Sequence, residues 1–142
     1  MAGNSIKSIV RKQSVNVPAD STVDDAITAV REFTPTNDGV SVYYVYITEN
    51  GQLAGVVSMR ELLNAEDTAP VSTIMTTDVI MVTTNDSVQS AARKIIDNRF
   101  PALPVVDRDG RFDGVVRATD LIDALDEATT KTLFKQAGLW MR

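Results

Sequence analysis

An internal duplication constrains the fold of this 142-residue chain more than any other feature of its sequence. Residues 51–62, GQLAGVVSMREL, align with residues 110–121, GRFDGVVRATDL, at a shift of 59 positions. Farther upstream, residues 17–23, VPADSTV, align with residues 82–88, VTTNDSV, at a shift of 65 positions. The first copy therefore carries six more residues, which we expect in the turn-rich segment 34–39. A chain with such a repeat is built from two similar units.

Hydrophobic periodicity predicts the same leading helix in both copies. In the first copy, apolar residues spaced three and four apart predict an amphipathic helix over residues 23–33. Thr22 and Asp25 have the spacing of a capping pair at its start. The same spacing begins again at Val88. A short strand is expected before each helix.

The segments after each helix predict a strand pair. Two β-rich runs are joined by Asn50-Gly51 in the first copy and by Asp109-Gly110 in the second. These dipeptides favour the positive φ angles of tight hairpin turns. A second helix should begin near Met59 or Thr119, so each copy has the order strand, helix, strand, strand, helix. A helical stripe extends the last helix of the chain to about residue 137.

Composition removes several classes of function. The chain has no His and no Cys, so it cannot build a Ser-His-Asp site, a Cys-His site or a His/Cys zinc site. Its formal net charge is −5. Basic residues outnumber acidic ones in residues 1–14 but not in residues 15–142, so we expect no nucleic-acid partner. The longest strongly apolar run, residues 42–47, is far shorter than the roughly 20 residues that cross a bilayer. Residues 1–8 contain no signal-peptide core, so we expect a cytoplasmic protein without membrane insertion.

The turn that follows the last strand of each copy carries a family resemblance. Residues 114–120, GVVRATD, run from a glycine through an apolar strand into a turn that opens a helix. With this signature the chain resembles a tandem pair of CBS domains, a Bateman module. GVVSMRELL, ALPVVDRDGRFDGVV and the tail DLIDALDEATTKTLFKQAG are similar to the cytosolic part of MgtE-type magnesium transporters. We expect an α/β (α+β) fold of two pseudo-twofold-related β-α-β-β-α repeats, at residues 8–68 and 69–127, with residues 128–142 forming a helix extension and tail.

The resemblance implies an adenine nucleotide, ATP or AMP, in a cleft between the two halves. A ribose diol needs an acceptor, and the carboxylate of Asp120 can take both hydroxyls. Phosphates favour hydroxyls and free amides at a helix start. The first copy has Arg60-Glu61 in place of Thr119-Asp120, so we expect at most one good nucleotide site. The expected nucleotide-binding residues are Asp120, Thr119, Ala102, Leu103, Pro104 and Thr83, with Arg60 as a cation for a polyphosphate.

Acidic residues form the second group of candidates. Seven Asp or Glu residues fall within residues 107–127. Hard oxygen ligands without His or Cys suit Mg²⁺. In MgtE-type proteins such clusters bind Mg²⁺ between subunits, and the alternative here is a solvated helix face. The expected metal ligands are Asp120, Asp123, Asp126 and Glu127, so Asp120 belongs to both sets.

These patterns predict a regulatory module and no enzymatic activity. No phosphate loop of the G-x-x-x-x-G-K type occurs in the sequence. The expected partners are a second copy of the chain, an adenine nucleotide, Mg²⁺ and a membrane transporter domain. Two alternatives stay open. The module could be a structural dimerisation unit with degenerate clefts, and Thr119 with Asp120 could serve only to cap a helix.

Overall fold

The computed structural model describes residues 5–33 and 42–125. Over these residues the chain forms two compact units. The N-terminal unit contains the described residues of 12–79 together with 109–112, and the C-terminal unit contains those of 1–11, 80–108 and 113–142. Each unit holds the main strands and helices of one copy of the repeat.

The N-terminal unit has a three-stranded sheet with the strand order β1-β2-β3. Strands β1 and β2 are parallel, and β2 and β3 are antiparallel. Asn50 and Gly51 both have positive φ, 54° and 84°, at the turn between β2 and β3, as the sequence predicts. The elements are β1 (Asn16–Pro18), α1 (Val23–Glu32), β2 (Tyr44–Glu49), β3 (Gln52–Ser58) and α2 (Met59–Asn64).

The C-terminal unit repeats this order with the sheet β4-β5-β6, in which β4 and β5 are parallel. Its elements are β4 (Val82–Thr83), α3 (Val88–Asn98), β5 (Ala102–Val106), β6 (Phe112–Arg117) and α4 (Ala118–Ala124). The first residue of β6 groups with the N-terminal unit. The predicted order of elements in each repeat is confirmed.

Side-chain caps explain where the leading helices begin. Thr22 accepts a hydrogen bond from the backbone N–H of Asp25 at 3.1 Å, and Asp25 accepts one from the N–H of Thr22 at 3.0 Å. This reciprocal pair satisfies two N–H groups that lack partners in the helix. In the second copy, Ser87 accepts from the N–H of Ser90 at 3.0 Å. The predicted starts of both helices are therefore confirmed.

Each unit has its own apolar core. Ile6 and Val71, which are 65 positions apart like the strands that open the repeats, are both fully buried in short 3-10 helices, Ile6–Ile9 and Val71–Thr73. The core of the C-terminal unit is Ile6, Val82, Val88, Ala91, Ile95, Leu103, Val105, Val116 and Leu121. The core of the N-terminal unit is Val15, Val17, Val23, Ala26, Val45, Ile47, Val57, Leu62 and Val71.

The segment that opens each repeat, ahead of its first strand, pairs with the sheet of the unit that holds the other repeat's strands. In the C-terminal unit, Arg11 and Val115 exchange two backbone hydrogen bonds, at 2.7 and 2.9 Å. In the N-terminal unit, Thr76 and Val56 exchange the corresponding bonds, at 3.0 and 2.9 Å. Gly114 permits this approach because a Cβ there would fall on the carbonyl oxygen of Arg11.

The last described helix ends one residue before the end of the described part of the chain. Helix α4 ends at Ala124, and Leu125 has extended backbone angles, φ −86° and ψ 148°. The rest of the predicted helix extension, the tail 128–142 and the predicted insertion at 34–39 lie outside the described residues. Among the residues that the structure describes, no helix combines the length and apolar character needed to cross a membrane.

Candidate functional site

One backbone hydrogen bond brings two predicted parts of the site together in the C-terminal unit. The N–H of Ala118, the first residue of α4, donates to the carbonyl oxygen of Pro101 at 2.9 Å. Pro101 directly precedes the Ala102–Pro104 stretch, which is buried in β5. The start of β5 therefore lies beside the first turn of α4, where Thr119 and Asp120 stand.

Thr83 lies elsewhere in the same sheet. Its register partner in β5 is Val106, at the opposite end of that strand from Ala102 and about 13 Å along it. The backbone N–H and the hydroxyl of Thr83 both donate to the carboxylate of Asp86, at 3.0 and 2.9 Å. Thr83 thus stabilises the turn before α3.

Asp120 is bound by two arginines. Arg117 donates from Nε to Oδ2 at 2.9 Å and from its terminal nitrogen to Oδ1 at 3.1 Å. Arg11 donates in the same way, at 3.0 and 3.2 Å. Each carboxylate oxygen therefore accepts two hydrogen bonds, which fills the roughly four lone-pair sites of the group. The resulting cluster of one acid and two bases has a formal charge of +1.

The two arginines govern the ionisation of Asp120. Its side chain is only 14% exposed, and that burial by itself raises the pKa. The hydrogen bonds and positive charges of Arg117 and then Arg11 outweigh burial, so the pKa of Asp120 is lowered from its ordinary value. Asp120 is therefore ionised throughout the neutral range.

The corresponding position of the N-terminal unit has a different chemistry. Ser58 and Glu61 correspond to Arg117 and Asp120 at the 59-residue shift. Ser58 accepts from the N–H of Glu61 at 3.1 Å, and Glu61 accepts from the N–H of Ser58 at 2.8 Å. Helix α2 thus has a complete capping box, whereas Arg117, the N-cap residue of α4, makes no side-chain capping bond. Thr119 and Asp120 lie within the first turn of α4, after its N-cap residue Arg117.

Neither arginine of this cluster was among the expected binding residues, and Arg11 is the one that lies far from Asp120 in the sequence. Its segment belongs to the C-terminal unit although it lies at the start of the first repeat. A signal was present in the sequence, because IKSIV at 6–10 and VSTIM at 71–75 align at the same 65-residue shift as the opening strands. Extending the repeat to Ile6 would have marked Arg11 as the counterpart of Thr76.

Arg60 lies in the N-terminal unit and is exposed on α2. It lines a shallow pocket of about 360 Å³ with Glu61, Asn64, Ala65 and Ile74. A cationic and an amide side chain one helical turn apart can face a common anion. The role of Arg60 toward a polyphosphate stays a prediction.

The predicted metal ligands are only partly described. Asp123 is exposed on α4, and Asp126 and Glu127 lie outside the described residues. Asp120 has no lone pair left for a cation while both arginines bind it. Within residues 5–33 and 42–125, no cluster of three or more acidic side chains has the geometry to hold a metal ion.

Known proteins are similar to this chain in sequence. The chain is 34% identical over 128 residues to the magnesium transporter MgtE of Thermus thermophilus, which covers 89% of this chain and 28% of that protein. It is 30% identical over 132 residues to MgtE of Enterococcus faecalis, covering 92% of this chain and 29% of that protein. The chain thus spans less than a third of the length of these two relatives.

A solved structure extends the likeness to three dimensions. The crystal structure of the cytosolic domain of the Mg²⁺ channel MgtE in complex with ATP superposes with a TM-score of 0.79 and 32% identity, covering 86% of this chain and 49% of that one. The sequence profile of the CBS domain matches residues 6–67 and again residues 71–127. The chain therefore belongs to the CBS domain family, as a tandem pair of CBS domains.

Proposed function

We propose that this CBS pair is a regulatory module that binds an adenine nucleotide and controls a magnesium transporter. The similarity to the ATP complex of an MgtE cytosolic domain supports the ligand class, since it covers 86% of this chain at 32% identity. The similarity to two magnesium transporters supports the regulated process. In this role the module works by binding and does not catalyse a reaction.

The observation that carries the nucleotide proposal is the junction between Pro101 and Ala118. It joins the residue before Ala102 and Leu103 to the first residue of α4, the helix that carries Asp120 in its first turn. A backbone edge can read the hydrogen-bonding groups of adenine, and a carboxylate can accept both hydroxyls of a ribose. Recognition of an adenosine needs a group for the adenine and a group for the ribose. The two candidate groups belong to the same unit.

The remaining predicted residues have smaller parts in this proposal. Thr119 is exposed in the first turn of α4 and offers a hydroxyl to a phosphate. Pro104 keeps the β5 backbone rigid, and Thr83 shapes the turn at the far end of the same sheet. Arg60, on the N-terminal unit, is proposed as a cation for a polyphosphate.

Calorimetry with ATP, AMP and adenosine tests the nucleotide proposal. Asp120→Ala should weaken binding about tenfold or more, because hydrogen bonds to a charged group are each worth roughly 1.5–3 kcal/mol. Glu61→Ala is the matched control, since Glu61 has the corresponding position in the other repeat and bonds its own helix start. Absence of binding to the wild-type chain at millimolar nucleotide would refute the proposal.

We propose Mg²⁺ as a second ligand, held by Asp123, Asp126 and Glu127. Its support is the similarity to magnesium transporters together with the oxygen-only ligand chemistry that Mg²⁺ prefers. Thermal stability should rise more with millimolar MgCl₂ than with NaCl at the same ionic strength. The triple change Asp123→Asn, Asp126→Asn and Glu127→Gln should remove that excess, and an equal response to the two salts would mean simple screening.

The proposed setting is the cytoplasmic side of a membrane, with a transporter domain and a second CBS pair as partners. A nucleotide or Mg²⁺ would change the dimer geometry and thereby the transporter. The competing possibility is a structural dimerisation module without a ligand. Thermal-shift measurements with ATP, AMP and Mg²⁺ separate the two, because a ligand that binds only the folded chain must raise its stability.

A further inference from the structure

The side chain of Arg11 is hydrogen-bonded to Asp120, the carboxylate that the proposed function assigns to ribose binding. Asp120 accepts two hydrogen bonds from Arg11 and two from Arg117, so both oxygens are saturated. Two ribose hydroxyls cannot donate to the same oxygens unless one guanidinium leaves. Recognition of the ribose at Asp120 therefore requires an exchange of partners.

Exposure and chain position decide which arginine leaves. The side chain of Arg11 is 45% exposed, whereas that of Arg117 is 21% exposed. Arg117 is three residues before Asp120 in the sequence, so its pair closes a short local loop. Arg11 is 109 residues away, and its side chain can turn into water. The exposed ion pair is the weaker of the two, because solvent screens it and its side chain regains rotamer freedom.

The backbone of the Arg11 segment is held independently of this ion pair. Ile6 is fully buried, and its N–H donates to the carbonyl of Asp86 at 3.0 Å. The two backbone bonds between Arg11 and Val115 fix the other end of the segment. Release of Asp120 by the Arg11 side chain thus does not require the backbone of the N-terminal segment to move.

From this geometry we propose that Arg11 is a displaceable competitor of the ribose at Asp120, built into the chain to lower nucleoside affinity. This inference rests on the proposed nucleotide function and adds a regulatory residue to it. Because Arg11 returns to Asp120 when the site empties, it keeps the carboxylate paired in the free protein. Once displaced, its guanidinium stays tethered beside the site through its fixed backbone.

The test compares adenosine binding to the wild-type chain and to Arg11→Ala by calorimetry. Adenosine carries the ribose diol but no phosphate, so loss of a cation near a phosphate cannot mask the effect. Arg11→Ala should bind adenosine about two- to fivefold more tightly, the range given by an ion pair of about 0.4–1 kcal/mol. Lys7→Ala removes one positive charge from the same segment without touching Asp120 and should leave adenosine affinity unchanged.

A second ligand isolates the hydroxyl contact. 2′,3′-Dideoxyadenosine lacks both donors to Asp120, so its affinity should be the same for wild type and Arg11→Ala. Equal gains for the two nucleosides would show that Arg11 acts on adenine or on net charge and would overturn the proposal. As a measure of the ion pair itself, carbon NMR should show a higher pKa for Asp120 in Arg11→Ala, and an unchanged pKa would also overturn it.

The outcomes separate this inference from the function on which it rests. If the wild-type chain binds adenosine and Arg11→Ala binds it equally or more weakly, the inference fails and the nucleotide function stands. If neither protein binds adenosine or ATP at millimolar concentration, the nucleotide function fails and the inference fails with it. Binding by Arg11→Ala alone would support Arg11 as a competitor at Asp120, but it would refute nucleotide binding as the function of the wild-type chain.

Discussion

Glu61 accepts a hydrogen bond from the backbone N–H of Ser58 at 2.8 Å and thereby completes the cap of its own helix. Asp120, at the corresponding position of the second repeat, instead accepts from the side chains of Arg117 and Arg11. The same place in the repeat thus stabilises a helix in one unit and holds a charged cluster in the other. This difference separates a structural acid from a candidate ligand-binding acid.

The ion pairs of Asp120 should make the stability of the chain depend on pH. A carboxyl whose pKa is lowered in the folded state contributes stability that is present above its unfolded pKa, about 3.9, and lost as the pH falls through the lower folded value. Asp120→Asn should therefore lower the free energy of unfolding by about 1–2 kcal/mol at pH 7. Urea unfolding at pH 7 and below pH 3 measures it. Asp123→Asn, on the exposed part of the same helix, is the control, and an equal loss at both pH values would contradict the ion-pair explanation.

Gly114 should tolerate no larger residue. Its φ is +144°, and a Cβ would fall on the backbone carbonyl of Arg11, which cannot move without breaking its bonds to Val115. We expect Gly114→Ala to cost at least about 2 kcal/mol. At Gly55 in the first repeat, the added Cβ first meets the flexible side chain of Met75, so Gly55→Ala should cost less. Denaturant unfolding of both variants measures the two losses of stability. A smaller loss for Gly114→Ala than for Gly55→Ala would contradict the prediction.

The cap of α2 gives a prediction for the N-terminal unit. Ser58→Ala removes the acceptor of the Glu61 N–H and should cost about 1 kcal/mol of stability. Ser58→Asp keeps an acceptor at the same place and should restore most of it. Thermal unfolding measures both variants, and equal losses for alanine and aspartate would exclude the cap as the cause.

Replacing Arg99 with glycine should raise the stability of the chain. It ends α3 in the left-handed conformation, with φ 58° and ψ 36°, which is unfavourable for a residue with a Cβ. We expect Arg99→Gly to raise stability by roughly 0.5–1 kcal/mol. The same change at exposed Arg93, inside α3, should lower stability by about 1 kcal/mol. Thermal unfolding should show a gain of stability for Arg99→Gly and a loss for Arg93→Gly. A loss of stability in both variants would contradict the prediction.

Exposed apolar residues give a prediction for self-association. Leu63 on α2 is 72% exposed and Ile122 on α4 is 38% exposed, and the two have corresponding positions in the repeats. We expect a homodimer that buries these helices. Leu63→Glu with Ile122→Glu should dissociate it in sedimentation experiments, whereas the same charges at exposed Thr28 and Ser90 should not. A wild-type monomer at 100 µM would refute the dimer.

Local signals in the sequence determined the elements and their order. Thr22 with Asp25 marked the start of α1, and Asn50-Gly51 marked the turn between β2 and β3, because caps and tight turns depend on residues only a few positions apart. The 59-residue shift between the glycine motifs determined that there are two units of one kind. The candidate acid Asp120 was identified through the resemblance of its turn to that of CBS domains.

Only the tertiary structure decided what Asp120 contacts. Arg11 lies 109 residues away, and it reaches Asp120 because its segment pairs with β6 of the C-terminal unit through Val115. Arg11 and Asp120 are brought together by the backbone hydrogen bonds between Arg11 and Val115 and by the burial of Ile6. Neither interaction can be predicted from residues that are close in the sequence. The sequence by itself determined two repeats and the position of their acids. The folded chain decided that one acid caps a helix and the other is held between two arginines.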